Sequence, residues 1–503
     1  MKMHKKYLAL VLSVLFTLGF AVSAFADPIV AAGTTAITLG GDLRFQGEYR
    51  ENIADFNDNV SNAADVSKYD GRVRINLTAV VSKTVSGKIT LESAGFQTSL
   101  TNNSGGWNWG YPSTDAGASG LYAEGNASKR GPLAISEAWI QYKTTIGSIP
   151  ASLKMGHFAI KVSNGLFFNH TDDLILLALD PTPALHIELF NAKLNEGVDV
   201  YATRVCVNNT TGAITTTTGA ACGTGTTQLA TSGTATGTTS NGGQGISNDS
   251  DAYGVRLAYK GTGFNLGGDV TLINDQDFSA QGLQLYNYGL RADTKIGQVG
   301  IFADAEIQSG TAKADAGGTD IKYKGYAYLV GVNTTLGGYK VDLSYGLGSG
   351  DDNASDTKIN TFITAGGGTV GLPTAPFVFG GKTKGVGVTA PSTTGANSGS
   401  TSRGLSNLTY YKAGITGNVS KNIVGTANYY ILNASKQLSS VTPYDSRDIG
   451  AELDVKLTYT IEKNLVYTVD AGYLFAGDFF KNLTAGLEPD NAWGVVHGLT
   501  LSF

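Results

Sequence analysis

Strict alternation between apolar and polar side chains is the feature that most restricts how this chain can fold. In the stretch GGDLRFQGEYRENI, residues 40–53, one face carries Leu43, Phe45, Gly47 and Tyr49, and the other carries Asp42, Arg44, Gln46, Glu48 and Arg50. A period of two residues is that of a β-strand whose two faces meet different surroundings. This stretch therefore predicts a strand with one apolar face and one charged face.

The same alternation recurs along the chain, for example in YDGRVRINLTAVVS from Tyr69 and in IGAELDVKLTYT from Ile449. We count 18 such segments, which begin near residues 36, 68, 87, 134, 151, 184, 197, 251, 264, 283, 298, 323, 339, 408, 422, 448, 465 and 491. The sixth and seventh show the pattern least clearly. Short connections such as KTVSG alternate with long ones rich in Gly, Ser, Thr and Asn at 98–133, 205–249, 309–322, 349–406, 435–447 and 477–489.

The first 26 residues have the composition of a cleaved secretory signal peptide. Lys2, Lys5 and Lys6 precede an apolar run from Tyr7 to Phe20, and the small-x-small tripeptide at residues 24–26 provides a cleavage signal. An N-terminal membrane anchor is the alternative, but the apolar run is short for a spanning helix. No cysteine lies at the cut, so no lipoprotein anchor is predicted. The folded part of the chain is expected to be a single domain over 27–503.

The composition of the chain is not that of an ordinary soluble protein. The longest apolar run, LILLALDP from Leu174, is too short to span a bilayer, and charged residues make up only 15% of the chain. The apolar faces carry Tyr49, Tyr69, Tyr142, Tyr253, Tyr259, Tyr345, Tyr459, Tyr467 and Tyr473, several near strand ends. Such tyrosines anchor at the headgroup level, and a soluble β-sandwich, the alternative, would not need them.

These features together predict an all-β fold, a single transmembrane antiparallel β-barrel of about 18 strands. Its short turns would be periplasmic and its long loops extracellular, those near 98–133, 205–249 and 349–406 being the longest. A closed barrel leaves no sheet edge exposed to hydrocarbon. The stretch 366–402 is rich in Gly, Ser and Thr, and whether it folds into the lumen is left open.

The polar faces predict the wall of a water-filled lumen. The candidate lining residues are Arg44, Glu48, Asp70, Arg72, Arg74, Glu92, Glu137, Arg256, Arg291, Asp293, Asp304, Glu306, Asp454 and Asp470. The same faces also carry Asp42, Arg50, Lys88, Lys143, Lys154, Asp269, Lys340, Asp342, Lys412, Glu452 and Lys456. Because the two signs balance, a strongly basic conduit for a polyanion is not expected.

Two interpretations of these charges remain open. Arg44, Arg72 and Arg74 lie on the first two predicted strands, and Asp293, Asp304 and Glu306 lie on the tenth and eleventh, roughly opposite in a barrel. One interpretation is a transverse electric field across a constriction. The other is a wall of mutually neutralised charges, for example Arg72 with Asp70 or Glu48.

Cys206 and Cys222 lie in one Thr- and Gly-rich segment of an exported chain. A disulfide between them would close a loop of about 16 residues and contribute ~3 kcal/mol in the loop-entropy model. Two free thiols are the alternative.

No cofactor, metal site or enzymatic activity is predicted. The oxygen-rich stretches DQDFS from Asp275 and SGDDNASDT from Ser349 lack the spacing of a calcium loop. The sequence contains no G-x-S-x-G or H-E-x-x-H motif, and the net charge of −5 argues against nucleic acid as a partner.

The chain ends in the amphipathic segment WGVVHGLTLSF. A last strand that stops at Phe503 resembles the signal read by the outer-membrane assembly machinery. His497 does not fit this pattern, because its position places it on the apolar face. It would then contact a neighbouring subunit, unless the register slips at that point.

Two early segments, GRVRINLTAVVSKTVSGKITLES and ISEAWIQYKTTIGSIPASLKMGHFAI, resemble the first strands of porins of the alginate-export type. The matching residues are Arg72, Arg74, Glu92, Glu137-Ala138-Trp139, Pro150 and Leu153-Lys154-Met155-Gly156, whereas the arginine usual after that glycine is His157 here. The resemblance covers about 100 residues, and members of the group share an 18-stranded barrel, the number counted above.

The resemblance and the balanced lumen lead to one expected function. The chain is expected to be a porin of a Gram-negative outer membrane that lets small hydrophilic solutes or ions diffuse passively. A barrel that sheathes a partner such as an electron-carrying cytochrome and a channel that exports a polysaccharide are the alternatives. The expected partners are outer-membrane lipid, solutes and the assembly machinery; the oligomeric state is open, a homotrimer being one alternative.

Overall fold

The computed structural model describes residues 35–52, 56, 66–93, 107–109, 133–162, 165–195, 203–208, 214–218, 226–231, 250–275, 282–313, 319–353, 356–364, 378, 404–437, 446–482 and 488–503. Eighteen long strands form the wall. They are β1 Ala36–Glu51, β2 Val66–Val80, β3 Val85–Ser93, β4 Leu133–Ile146, β5 Ile149–Val162, β6 Phe168–Thr182, β7 Leu185–Asn195, β8 Ser250–Lys260, β9 Phe264–Asp275, β10 Leu283–Ile296, β11 Val299–Ala312, β12 Tyr326–Leu336, β13 Tyr339–Gly348, β14 Leu408–Ser420, β15 Ile423–Ala434, β16 Asp448–Glu462, β17 Leu465–Ala476 and β18 Ala492–Ser502.

Each wall strand pairs antiparallel with the strands before and after it in the sequence, and β18 pairs with β1, so that the sheet closes on itself. At the closing seam Asp42 lies opposite Ser502, and Glu51 lies opposite Trp493. The backbone groups of Phe503 and Gly41 exchange two hydrogen bonds of 2.8 and 3.0 Å beyond the last strand. The predicted closed antiparallel barrel of 18 strands is confirmed.

The sixth and seventh strands are not where the sequence pattern placed them. The segment near 184 is the seventh strand, and the sixth is Phe168–Thr182, which the alternation did not reveal. The predicted start at 197 lies outside the described residues, and β7 pairs directly with β8, so no wall strand lies between them. The alternation did not reveal β6 because Leu174, Leu176 and Ala178 make the inward face of this strand apolar, like its outward face. Without a polar face, a strand shows no period of two.

Short turns join the strands at the end of the barrel where β1 begins and β18 ends. The turns are 81–84, 147–148, 183–184, 261–263, 297–298, 337–338, 421–422 and 463–464. Gly147 and Gly297 have φ angles of +63° and +60°, values that two-residue hairpin turns require and that glycine adopts without strain. The opposite end carries the long connections, although β5 and β6 are joined by residues 163–167 alone.

Some of the long connections contain strands of their own. Thr203–Asn208, Ile214–Thr218 and Thr226–Thr231 form a separate three-stranded sheet that overlaps the predicted loop 205–249. Cys206 lies in the first of these strands, whereas Cys222 is outside the described residues, so the disulfide stays a prediction. The predicted loop 309–322 begins later than expected, because β11 continues to Ala312.

The two faces of the wall differ in burial. Large apolar side chains at alternate positions are exposed on one face, whereas charged side chains at the positions between, such as Glu306 and Glu452, are 0% exposed. In a closed barrel the crowded face is the inner one, so the apolar face points outward. A continuous exposed apolar surface of this kind is typical of contact with lipid.

The inner face is not polar throughout. On β5 to β7 it carries Phe158, Ile160, Leu174 and Phe190, which are buried with residues 166–167 of the adjoining connection and with Phe168 at the start of β6. The described ranges contain one short 3-10 helix, Asp478–Asn482, and in them no helix is long and apolar enough to cross a membrane.

Candidate pore lining

The arginines of β1 and β2 lie in a ladder of ion pairs with carboxylates. Arg72 Nη2 is 2.7 Å from Asp42 Oδ1, and Arg44 Nη2 is 3.6 Å from Asp70 Oδ1. Arg74 continues the ladder onto β3, where its Nη2 atom lies 2.6 Å from Glu92 Oε2. The proposed pairing of Arg72 with Asp70 or Glu48 is wrong, since the strand register brings Asp42 closer. Glu48 instead binds Arg50, whose Nε lies 2.6 Å from Glu48 Oε1.

Glu137 is the centre of a second cluster on the inner face of β3, β4 and β5. Its Oε2 atom lies 2.5 Å from Lys88 Nζ, and its Oε1 accepts a hydrogen bond of 2.7 Å from Trp139 Nε1. Lys154 Nζ sits between two rings, 4.2 Å from the centroid of Trp139 and 3.9 Å from that of Phe158. Cation–π contacts of this kind hold the ammonium group against the wall.

Acidic residues of β11 are deeply buried in the wall. Asp304 is 2% exposed, and it lies opposite Arg291 in the register of β10 and β11. Glu306 accepts a hydrogen bond of 2.5 Å from Asn287 Nδ2. Arg291 Nη2 also lies 3.8 Å from Asp293 Oδ1. The tenth and eleventh strands therefore carry a mixed network rather than a simple row of acids.

Ion pairs continue around the rest of the wall. Lys412 Nζ is 2.7 Å from Asp342 Oδ2, and Lys456 Nζ is 3.0 Å from Asp470 Oδ2. Among the described strands the two signs are thus interleaved on both sides of the barrel. Such pairing favours a neutralised wall over a strong transverse field.

A connection between β13 and β14 reaches the inner face of the wall. Gln308 Nε2 on β11 donates to the carbonyl of Ile363 at 2.6 Å, and Gln308 Oε1 accepts from the N–H of Ile363 at 2.9 Å. Val378 N–H donates to Glu452 Oε1 on β16 at 2.5 Å. Since both side chains point inward, Ile363 and Val378 lie within the lumen. The open question about the stretch 366–402 is thereby answered for Val378, the residue of that stretch that the structure describes.

His497 lies on the outward face in unbroken register, opposite Gly47 on β1 and Val469 on β17. His497 is only 8% exposed, because Gly47 leaves a notch for its ring and Tyr49 stacks on the ring at a centroid distance of 6.1 Å. Tyr467 Oη lies 3.0 Å from His497 Nδ1. A register slip did not occur, and the chain's own tyrosines shield the imidazole. Gly47, a position without a side chain among the large apolar residues of the outward face of β1, was the sequence signal for this site.

Two acidic residues that belong to the ion-pair network of the wall were not identified from the sequence. Glu188 on β7 binds Arg256 on β8 and also contacts His186, and Asp180 near the end of β6 contacts the same histidine. The strand that carries Asp180 was not predicted, so its partner could not be inferred. Glu188, in contrast, alternates with His186 in HIELF, a pattern that places both on one face.

The oxygen-rich loop at 349–356 uses its carboxylates to hold its own backbone. Asp351 accepts hydrogen bonds from the N–H groups of Asn353 and Asn360 at 2.8 and 2.7 Å. Lys436 Nζ, 2.9 Å from Asp352 Oδ2, donates a hydrogen bond that lowers the pKa of that carboxyl below its ordinary value. In the described ranges no group of three or more His, Cys, Asp or Glu residues is arranged to hold a metal ion.

All fourteen candidate lining residues occupy alternate positions that share the crowded face of the wall. The structure brings Arg44, Asp70, Arg72, Arg74 and Glu92 together, and separately brings Arg291, Asp293, Asp304 and Glu306 together. Glu137, Arg256, Asp454 and Asp470 lie on other sectors of the same face.

The fold is similar to those of solved barrel porins. A BenF-like porin from Pseudomonas fluorescens Pf-5 matches with a TM-score of 0.50 and 10% sequence identity, over 93% of this chain and 99% of that chain. OccK11 (OpdR) of Pseudomonas aeruginosa matches with a TM-score of 0.49 and 11% identity, over 96% of this chain and all of that chain. OccK8 (OprE) of the same species has a TM-score of 0.48 and 12% identity, over 93% and 98%.

No known family model matches the sequence, and no curated protein is similar to it. The likeness to solved structures, at such low identity, concerns the barrel fold alone. The finer resemblance to alginate-export porins is not confirmed.

Proposed function

We propose that this chain is an outer-membrane porin of a Gram-negative bacterium, through which small hydrophilic solutes or ions diffuse passively. The observation that carries the proposal is the closed barrel with an apolar outer face and an ion-paired polar inner face. Lipid would cover the first face, and water would fill the space inside the second. The fourteen candidate residues would then line that space.

Passive diffusion fits the wall charges better than export of a polyanion. A polyanionic chain requires a predominantly basic path, whereas Arg74, Lys88 and Lys412 of the inner face lie within 4.0 Å of carboxylates at Asp42, Glu92, Glu137 and Asp342. The same pairing supports a weakly selective channel. A sheath for a cytochrome finds no supporting observation, and Ile363 and Val378 occupy part of the space it would need.

The cleaved signal over 1–26 and an assembly signal at Phe503 belong to this proposal. The hydrogen bonds between Phe503 and Gly41 support a role for the terminal residue in closing the barrel. The disulfide between Cys206 and Cys222 would restrain an extracellular loop. A homotrimer remains one alternative for the assembly, beside a barrel that acts alone.

Single-channel recording in planar bilayers tests the proposal. Detergent-purified protein is expected to insert and to give stepwise ohmic conductance, and liposomes that contain it should admit small sugars but exclude large ones. Protein that was unfolded by heat before addition is the control. Folded protein that inserts into the bilayer without conducting would contradict the proposal.

A further inference from the structure

His186 is placed so that both of its ring nitrogens face carboxylates. Its Nδ1 atom lies 2.7 Å from Asp180 Oδ1, and its Nε2 atom lies 3.2 Å from Glu188 Oε1. An ionised carboxylate only accepts hydrogen bonds, and a neutral imidazole has only one N–H to donate. The observed geometry therefore suits the imidazolium form, which donates from both nitrogens.

The position of this histidine is fixed by the turn beside it. His186 is the second residue of β7, and the hydroxyl of Thr182 accepts hydrogen bonds from the N–H groups of Ala184 and Leu185 at 3.3 and 3.1 Å. Pro181 and Pro183 restrict the same turn. The histidine is thus held at the short-turn end of the barrel, on the inner face that also carries Glu188 and Arg256.

The charged groups around His186 come from three strands. Asp180 belongs to β6, Glu188 to β7, and Arg256 to β8, where its guanidinium binds the second oxygen of Glu188. Lys260 ends β8 two residues beyond Ala258, the residue paired with His186. The set of Asp180, Glu188 and Arg256 has a formal charge of −1, which a protonated His186 brings to zero.

The His186 side chain is 40% exposed and that of Asp180 is 53% exposed, so protons and ions from solution reach the cluster. We propose that His186 is a proton-controlled charge at the short-turn mouth of the channel and determines its preference between anions and cations. Loss of the proton leaves Asp180 and Glu188 with a smaller positive counter-charge. The mouth then attracts cations more strongly and repels anions.

The inference rests on the proposed channel function, and its test separates the two. Reversal potentials are measured in a salt gradient at pH values from about 5.5 to about 9, a range that spans histidine titration but stays above most carboxyl groups. The anion-to-cation permeability ratio of the wild type should fall by about two- to fivefold across this range, the effect expected of one charge in a salt-screened mouth.

Three variants test whether His186 causes the pH dependence of the permeability ratio. His186→Gln should abolish the pH step and hold the ratio at its high-pH value, and His186→Lys should hold it at the low-pH value. His157→Gln is the matched control, because His157 also lies beside an aspartate, 3.0 Å from Asp173 Oδ1, but on the outward face. Heat-modifiable migration on SDS gels confirms that each variant is folded.

A pH-independent ratio in the wild type, or a pH step that survives in His186→Gln, would overturn the role of His186 and leave the channel intact. Absence of any conductance in folded wild-type protein would instead overturn the proposed function. Loss of the step in His157→Gln but not in His186→Gln would place the titrating charge on the wrong face.

Discussion

At the scale of single residues, the wall is organised by pairs that strand register selects. Arg72 lies beside Asp42 at 2.7 Å, although Asp70 is nearer in sequence. On the outward face, the register places Gly47 opposite His497, and Gly47 leaves room for the imidazole ring. A Cβ atom at position 47 would collide with this ring. In both cases the identity of a contact depends on which residue the neighbouring strand presents.

If the inner wall is neutralised by pairs, removing only its cations should expose acids. Replacing Arg72 and Arg74 together by Gln leaves Asp42 and Glu92 without these partners, so cation permeability relative to anion permeability should rise by about two- to fivefold. Reversal potentials measure the ratio. Adding Asp42→Asn and Glu92→Gln should restore it, and an unchanged ratio in the arginine variant would contradict the importance of these pairs.

The notch at Gly47 should be intolerant of even a methyl group. Gly47→Ala is expected to destabilise the barrel by about 1–3 kcal/mol, because the new Cβ atom must displace His497 and Tyr69 at the closing seam. Gly268→Ala on the same outward face is the control, since the nearest atom to a Cβ there is 3.7 Å away. Denaturant unfolding in lipid vesicles measures both, and equal stabilities would argue against the notch.

At the scale of strands, the alternating pattern revealed most of the wall because the two faces meet different surroundings. It failed at β6, where Leu174 and Leu176 pack inward among apolar neighbours, so both faces are apolar. It also gave no sign of the short strand Ile214–Thr218, because a run of threonines shows no alternation between apolar and polar residues. The side of the wall on which each candidate lining residue lies followed from the alternation alone. The ion-pair partners of these residues depend on the strand register, which the alternation does not determine.

Position along a strand should decide how costly an outward charge is. Leu290 and Ile296 lie on the same face of β10 and are 65% and 66% exposed, but Ile296 adjoins the short turn. Leu290→Arg should therefore cost about 2–4 kcal/mol near the bilayer midplane, and Ile296→Arg about 0–1 kcal/mol near the interface. Unfolding of the refolded variants in phospholipid vesicles measures both losses of stability. A larger loss for Ile296→Arg than for Leu290→Arg would contradict the position of the apolar belt.

At the scale of the whole molecule, two described residues of the connection between β13 and β14 are bound to distant sectors of the wall. Gln308 on β11 holds Ile363, and Glu452 on β16 holds Val378, so inward segments are attached at strands that are not neighbours. Such attachments narrow the space for solutes without altering the barrel. The passage is therefore set jointly by the wall and by this connection.

Detaching one end of this connection should widen the passage. Glu452→Ala removes the acceptor of the Val378 N–H, so single-channel conductance should increase and larger sugars should enter liposomes. Glu462→Ala is the control, because Glu462 is an exposed residue at the turn end of the same strand. Conductance and size exclusion like those of the wild type would show that Glu452 does not hold the connection in place.

The opposite surroundings of the two faces are tested most directly by nitroxide labels at Leu290 and Arg291. These residues are adjacent on β10 but point outward and inward. Each label is attached to a cysteine in a background with Cys206→Ser and Cys222→Ser, in barrels reconstituted into vesicles. The label at 290 should be relaxed mainly by oxygen dissolved in lipid, and the label at 291 by a water-soluble nickel complex. Equal exposure of both labels to the nickel complex would contradict a lipid-facing outer wall around an aqueous lumen.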